Sequence, residues 1–215
     1  MEINDHILVE LEDEYANWAN NSQTLHTATM TNKLYPYEKL FSPIRVNKLT
    51  LKNRIVMGPM GNINMAEETG RPSNKMIQYF TERAKGGVGL IASGLVHVSQ
   101  KVDPTITEVG DLTYFPRIDT SRSHWSGWRE IAENLHGYGS RFFIQLSAGM
   151  GRVGSPECLI KKMKFPISAS MNPNYYLPGV PCLPVSAGKL GKIVKAFGQA
   201  AVDAKTQTVD GVYLH

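Results

Sequence analysis

The residues with most chemistry to offer stand where apolar runs end. In Arg141-Phe-Phe-Ile-Gln-Leu-Ser-Ala-Gly-Met-Gly-Arg152 the run carries one polar amide, Gln145, near its C-terminal end. That amide presents both an N–H donor and a carbonyl acceptor, so it can read the edge of a heteroaromatic ring with alternating donors and acceptors. Taken alone, it reads more simply as a buried glutamine satisfied by neighbouring loop backbone. Gly149-Met-Gly-Arg-Val-Gly154 matches the dinucleotide fingerprint in its spacing. The fingerprint requires a helix opening at its third glycine and an acidic residue about 20 positions on. Ser155-Pro156-Glu157 and a proline-rich stretch follow instead, so the motif is read as a turn that positions Arg152. Gly188-Lys-Leu-Gly-Lys192 lacks the first glycine and the Ser/Thr of a phosphate loop and reads as a solvated helix start.

The remaining reactive side chains form no self-evident centre. His215 closes a strand-like run, where a neutral imidazole can donate to a ligand carbonyl, or simply be exposed. His97, His124 and His136 show no metal-ligand spacing. Ser147, His136 and Asp203 can be named as a triad, but no nucleophile elbow surrounds Ser147. Cys158 and Cys182 are too few for a zinc or iron–sulfur pattern, and their spacing leaves a disulfide open. Without a signal peptide a reduced cytoplasm is the expected compartment. No apolar run approaches the roughly 20 residues that span a bilayer, so a soluble protein is expected. The net charge of +4 is spread out, and the cluster Lys161, Lys162 and Lys164 has no aromatic ladder beside it, which argues against nucleic acid.

The elements that must position these groups alternate along the chain. Residues 1–33 form an acidic then polar extension, with a short amphipathic helix predicted over 5–19. From 34 to 215 the chain reads as one domain. A hairpin is predicted over 40–51 with Asn47-Lys48 at its turn, followed by a first core strand at Arg54–Gly58. Ser73 caps a helix over Asn74–Lys85 that Gly86 or Gly87 stops. A strand at Val88–Ser93, a long loop over about 95–123 and a helix over Trp125–His136 follow, then the strand at 142–146. Ser147–Pro184 reads as a long loop, interrupted by Pro156, Pro166, Pro173, Pro178 and Pro181, of the kind that usually has a function. Ser186 caps a helix with the stripe Leu190, Ile193, Val194, Phe197, Ala201 and Ala204, and the run 210–215 is the last strand. Strand–helix alternation implies a parallel sheet, doubly wound or closed into a barrel, with chemistry at the C-terminal strand ends. Those ends are Pro59-Met60-Gly61, Ser93-Gly94-Leu95, Gln145 and His215, a small and polar set suited to a flat ligand pressed against backbone.

Several segments together resemble a known family. Leu40-Phe-Ser-Pro-Ile44, Leu51-Lys-Asn-Arg-Ile-Val-Met-Gly-Pro-Met60, Glu82-Arg-Ala-Lys-Gly-Gly-Val-Gly-Leu-Ile91, Gln145-Leu with Ala148-Gly and Arg152, and Asp210-Gly-Val-Tyr-Leu-His215 fall in the order of the old yellow enzymes. These are FMN-dependent NADH:flavin oxidoreductases, and the branch most resembled is that of 2,4-dienoyl-CoA and 2-enoate reductases. The resemblance covers about residues 38–215. It implies an α/β fold, a (β/α)8 TIM barrel of which about the first four β/α units are present. It implies FMN at the mouth of the barrel, NAD(P)H as reductant, and an enoate or enoyl small molecule whose activated C=C bond is reduced. By position, Pro59, Met60 and Gly61 lie along the flavin, Gly94 and Leu95 line it, and Gln145 meets its pyrimidine edge. His215 stands where the family places a donor to flavin or substrate oxygen, a catalytic as well as a cofactor-binding position. The family's proton-donating tyrosine and its phosphate-binding loops fall beyond residue 215. The half-barrel is therefore expected to be inactive alone and to need a complementary C-terminal half or a homo-oligomer. The alternative is a non-catalytic half-barrel that serves as an interaction or assembly module.

Overall fold

The computed structural model describes residue 13 and residues 38–99, 101–106, 114–119 and 122–215. Apart from residue 13, the helix predicted over 5–19 lies outside these, as does the boundary expected at residue 33. The chain divides into two compact units, Met1–Ile55 and Val56–His215. In the first, a single helical turn, α1 (Glu38–Phe41), precedes an antiparallel hairpin of β1 (Ile44–Val46) and β2 (Leu49–Leu51). Asn47 takes the left-handed backbone (φ 53°) at the expected turn, a conformation that asparagine tolerates better than most side chains.

The second unit runs β3 (Val56–Met57), α2 (Asn74–Lys85), β4 (Leu90–His97), α3 (Arg122–Gly137) and β5 (Arg141–Ser147). After an excursion come α5 (Ala187–Thr206) and β9 (Gly211–Leu214). The excursion holds a 3-10 turn at Gly151–Val153, a short helix α4 (Cys158–Lys161), and β6 (Ile167–Ser168), β7 (Asn172–Pro173) and β8 (Pro181–Pro184). What reads in sequence as a bare loop is thus a small three-stranded sheet in the order β6-β8-β7. Asn174 ties it down: its Nδ2 donates to the Arg152 and Gly154 carbonyls, and its Oδ1 accepts from the Tyr176 and Leu177 amides. Cys158 and Cys182 are both buried free thiols.

The main sheet is parallel with the order β3-β4-β5-β9. Each strand lies beside its predecessor, so the sheet winds in one direction. A doubly wound sheet reverses its order at a switch point, and this one does not. It is an arc of a (β/α) barrel. Alternation along β5 sets its two faces: Phe142, Ile144 and Leu146 are fully buried, with Gln145 and Ser147 on the opposite face. The buried face packs on Phe80 of α2 and on Trp128 of α3, whose rings lie 5.8 and 6.3 Å from that of Phe142. Trp128 Nε1 donates to the Arg117 carbonyl at 2.8 Å, so its one polar atom is satisfied inside the core.

The helix starts follow their caps. Ser73 and Ser186 sit in extended backbone, and each accepts a hydrogen bond from the amide three residues on. Helix α3 begins at Arg122, ahead of the expected Trp125, and β4 runs on to His97, past the expected Ser93. Helix α5 buries less of its stripe than the periodicity suggests. Ile193 and Phe197 pack on the core, while Leu190 and Val194 are 54% and 62% exposed.

Candidate functional site

The C-terminal end of β4 is not a plain strand. Its ladder with β5 pairs Ala92 with Phe143 and then Leu95 with Gln145, so Ser93 and Gly94 together oppose Ile144. Two residues against one make a β-bulge, a device that re-aims side chains next to functional sites. Ser93 stitches the irregularity: its hydroxyl donates to the Gly94 carbonyl at 2.9 Å and accepts the Gln145 amide at 3.1 Å. Gly94 is held from the other side, its N–H donating to Asn62 Oδ1 at 2.7 Å. A Cβ on Gly94 would stand 1.8 Å from the Met60 carbonyl oxygen, so only glycine permits this approach of backbone to backbone.

The bulge therefore joins the end of the first strand to the end of the second. Met60 presents its carbonyl to Gly94 and leaves its side chain half exposed, with Pro59 and Gly61 on either side. Asn62, almost fully buried, is the residue that sequence reasoning missed. It stands in a polar loop whose neighbours give no periodicity, and its role depends on a contact with a strand more than thirty positions away.

Gln145 lies level with Leu95 on one side and Tyr213 on the other. Its backbone is fixed by Ser93, and its side-chain amide makes no hydrogen bond to any described residue. Both the donor and the acceptor of that amide are available to a ligand. His215 follows β9, where its N–H donates to the Leu146 carbonyl at 3.0 Å, which carries the pairing one residue past Leu214. Its ring is exposed. Alternation puts His215 on the same face as Tyr213 and Gln145. One step along β4, His97 pairs with Ser147. The His97 ring is fully buried, edge-on to Phe115, with no hydrogen-bond partner at either nitrogen among the described residues. Burial first, then the Arg117 and Lys162 charges, pushes its pKa down to about 4, so it is neutral at physiological pH.

The other named groups are dispersed. Ser147 turns its hydroxyl into the following loop, to the Gly149 carbonyl and amide. His136 pairs with Asp210 at 2.6 Å, and Asp203 accepts from Gln199 at 2.9 Å. These three therefore form no triad. Arg152 is exposed, its guanidinium 6.0 Å from the Tyr175 ring centroid. Among the described residues no group of His, Cys, Asp or Glu is arranged to hold a metal ion, and no helix is long and apolar enough to cross a membrane.

The glycine motif of 149–154 also finds its use. A Cβ on Gly149 would meet Asp103 Oδ2 at 2.2 Å, and one on Gly154 would meet the Thr105 side chain at 2.3 Å. These glycines let the loop after β5 close on the loop after β4, and Gly151 N–H donates to Asp103 Oδ2 at 3.3 Å. The motif packs chain against chain.

Comparisons with known proteins agree with this architecture. Residues 39–215 match the profile of the NADH:flavin oxidoreductase / NADH oxidase family. The chain is 36% identical over 188 residues to a cinnamate reductase of Clostridium sporogenes, covering 83% of this chain and 26% of that protein. It is 31% identical over 177 residues to an NADPH dehydrogenase of Bacillus subtilis, covering 82% and 48% respectively. Its fold superposes on the crystal structure of the old yellow enzyme homologue from Zymomonas mobilis with a TM-score of 0.65 and 26% identity, over 82% of this chain and 48% of that one. The chain thus spans between a quarter and a half of the length of these relatives.

Proposed function

We infer the function from one premise: the chain belongs to the NADH:flavin oxidoreductase / NADH oxidase family. Its four-stranded arc is part of the eight-stranded barrel of old yellow enzymes. The family's cofactor is FMN and its reductant NAD(P)H. Our reading is that this chain supplies the flavin-edge half of an ene-reductase-type site, acting on an enoate or enoyl small molecule.

The observation that carries this reading is Gln145. Its amide, with neither half paired among the described residues, stands on the concave side of a barrel sheet and keeps both donor and acceptor open to a ligand. An isoalloxazine pyrimidine edge, with its alternating N–H and C=O groups, is the matching shape. The apposed backbones of Met60 and Gly94, kept free of side-chain bulk at Gly94, suit a flat ring. In this reading Pro59, Met60 and Gly61 lie along the ring, Gly94 and Leu95 line it, and His215 donates to a flavin or substrate oxygen. Bound there, FMN supplies two-electron relay chemistry between a reduced nicotinamide and an activated C=C bond.

The test is FMN titration of the chain, alone and mixed with the C-terminal half of the Bacillus subtilis relative. Quenching of flavin fluorescence is expected with the mixture, with NAD(P)H-dependent bleaching of its yellow colour only there. Gln145→Leu should weaken FMN binding by about tenfold, the loss of one to two hydrogen bonds to a buried edge. Colourless protein in both arms, or unchanged affinity in Gln145→Leu, would refute the assignment. A second reading, a non-catalytic interaction module, draws on the exposed β9 edge, where Tyr213 and Leu214 are 49% and 69% exposed. It predicts tight pairing of the two halves without flavin uptake.

A further inference from the structure

A cavity of about 390 Å³ lies between the loop that follows β5 and the start of α5. Its walls are Ile167 of β6, Val185 before α5, Leu190 and Ile193 of α5, and the loop at Gly149, with Asp103 among them. No residue proposed for the flavin lines it. Ile193 packs against the hydrophobic core on the helix side of the sheet, whereas Gln145 is on the opposite side. The volume is within the range of small-molecule sites, which are mostly apolar with a few placed polar groups.

The polar group here is unusual in its surroundings. Asp103 is almost fully buried, and burial holds its carboxyl above the usual carboxylate range. Its Oδ1 is saturated, accepting from the Thr105 amide at 2.8 Å and the Thr105 hydroxyl at 2.7 Å. Its Oδ2 has only the long 3.3 Å bond from Gly151 N–H and keeps acceptor capacity. Gly149 has φ +144°, and its missing Cβ is what makes room for that oxygen. Lys189 on the first turn of α5 acts on Asp103 with the opposite charge and anchors its ammonium on the Lys101 carbonyl at 3.3 Å. Lys189 already supplies positive charge beside the carboxylate, so a cationic ligand would meet it. An anion would meet the carboxylate and lose its hydration. A neutral hydroxyl is the head group that suits Oδ2.

We propose that this cavity is a second binding site, for a small neutral molecule with an apolar body and one hydroxyl directed at Asp103, a phenol being the matching class. The probe is p-cresol, titrated into the 215-residue chain and followed by calorimetry and by NMR, with toluene and p-toluate as controls. Saturable binding of p-cresol is expected, about tenfold weaker for toluene and absent for p-toluate. Asp103→Asn keeps an acceptor for Thr105 and should weaken p-cresol about tenfold. Because that residue organises its loop, a second variant carries the test independently. Leu190→Trp, at an exposed position of the wall, should keep the circular dichroism of the parent and lose p-cresol binding. No saturable binding, equal affinity for toluene, or binding unaffected in a folded Leu190→Trp protein overturns the proposal. Since FMN contacts none of these residues in our reading, loss of cresol binding with intact flavin uptake separates failure here from failure of the function assigned above.

Discussion

At the scale of single residues, two histidines set opposite pH dependences. His97, neutral and sealed, has its folded pKa lowered from 6.5 to about 4. Above about pH 6.5 the ring is neutral in both folded and unfolded chains and adds no slope. As pH falls from there towards 4, the unfolded chain takes up a proton that the folded chain refuses, and stability drops by about 3 kcal/mol. His97→Leu should remove that segment of the acid limb and, by deleting two unpartnered ring nitrogens, add about 1 kcal/mol at neutral pH. Urea unfolding between pH 4.5 and 7.5 decides it; parallel profiles for the two proteins would show that the ring is hydrated or paired. His124 behaves the other way. Burial pulls its pKa down, but Asp119 and the Thr69 carbonyl, acceptors at Nδ1 and Nε2, hold it above the ordinary value. Its stabilisation is complete below the unfolded pKa and fades as pH rises through the folded one. His124→Leu should therefore cost more stability at pH 6 than at pH 8 in the same measurement.

At the scale of elements, the bulge is the most demanding contact in the structure. Gly94→Ala puts a methyl group into the Met60 carbonyl, so either β4 or the loop after β3 must move. A loss of roughly 2–4 kcal/mol is expected by chemical denaturation, together with weaker FMN binding, whereas Ser186→Ala should cost only about 1 kcal/mol through its lost cap. A Gly94→Ala protein as stable as the parent would mean that the two strand ends do not meet. The contrast shows what the sequence makes legible. Ser73, Ser186, Gly86 and Gly87 announce their helix ends because capping is local chemistry, readable within four residues. The ends of β5 and β9 were legible for a similar reason, since apolar runs stop at small or polar residues, whereas β4 runs on past the expected Ser93 to His97. The bulge, the clamp by Asn62 and the small sheet over 167–184 were not. Each depends on partners far away in the chain, and the strands of that sheet are two to four residues long, too short for alternation to register.

At the scale of the molecule, a parallel arc bounded by β3 and β9 leaves backbone and apolar surface open on its flanks. Leu214 of β9 and Val194 and Val202 of α5 are all more than half exposed, the pattern of surfaces that pack against further β/α units in a closed barrel. The chain alone should then shift towards larger species with rising concentration on size exclusion. The pair Val194→Lys and Leu214→Lys should hold it monomeric and, in the same mixtures, prevent pairing with a supplied C-terminal half. Monomeric behaviour of the parent at all concentrations would mean that these flanks are not adhesive. Alternation of strand and helix is common to both architectures and leaves the winding open; the family resemblance implied the barrel, and the sequential pairing order bears it out.

The extra residue in β4 also works as a built-in frameshift. Upstream, odd-numbered Ile91 points to the helices and even-numbered Ala92 away; downstream, even-numbered Val96 points to the helices and odd-numbered Leu95 and His97 away. The strand is thus written in two reading frames, and Ser93-Gly94 is the place where one gives way to the other. An insertion or deletion of one residue elsewhere in β4 would turn half of its side chains inside out. A deletion within Ser93-Gly94 would instead restore a plain ladder with every other pairing intact. The position that tolerates substitution least is the one where the strand can best survive being shortened.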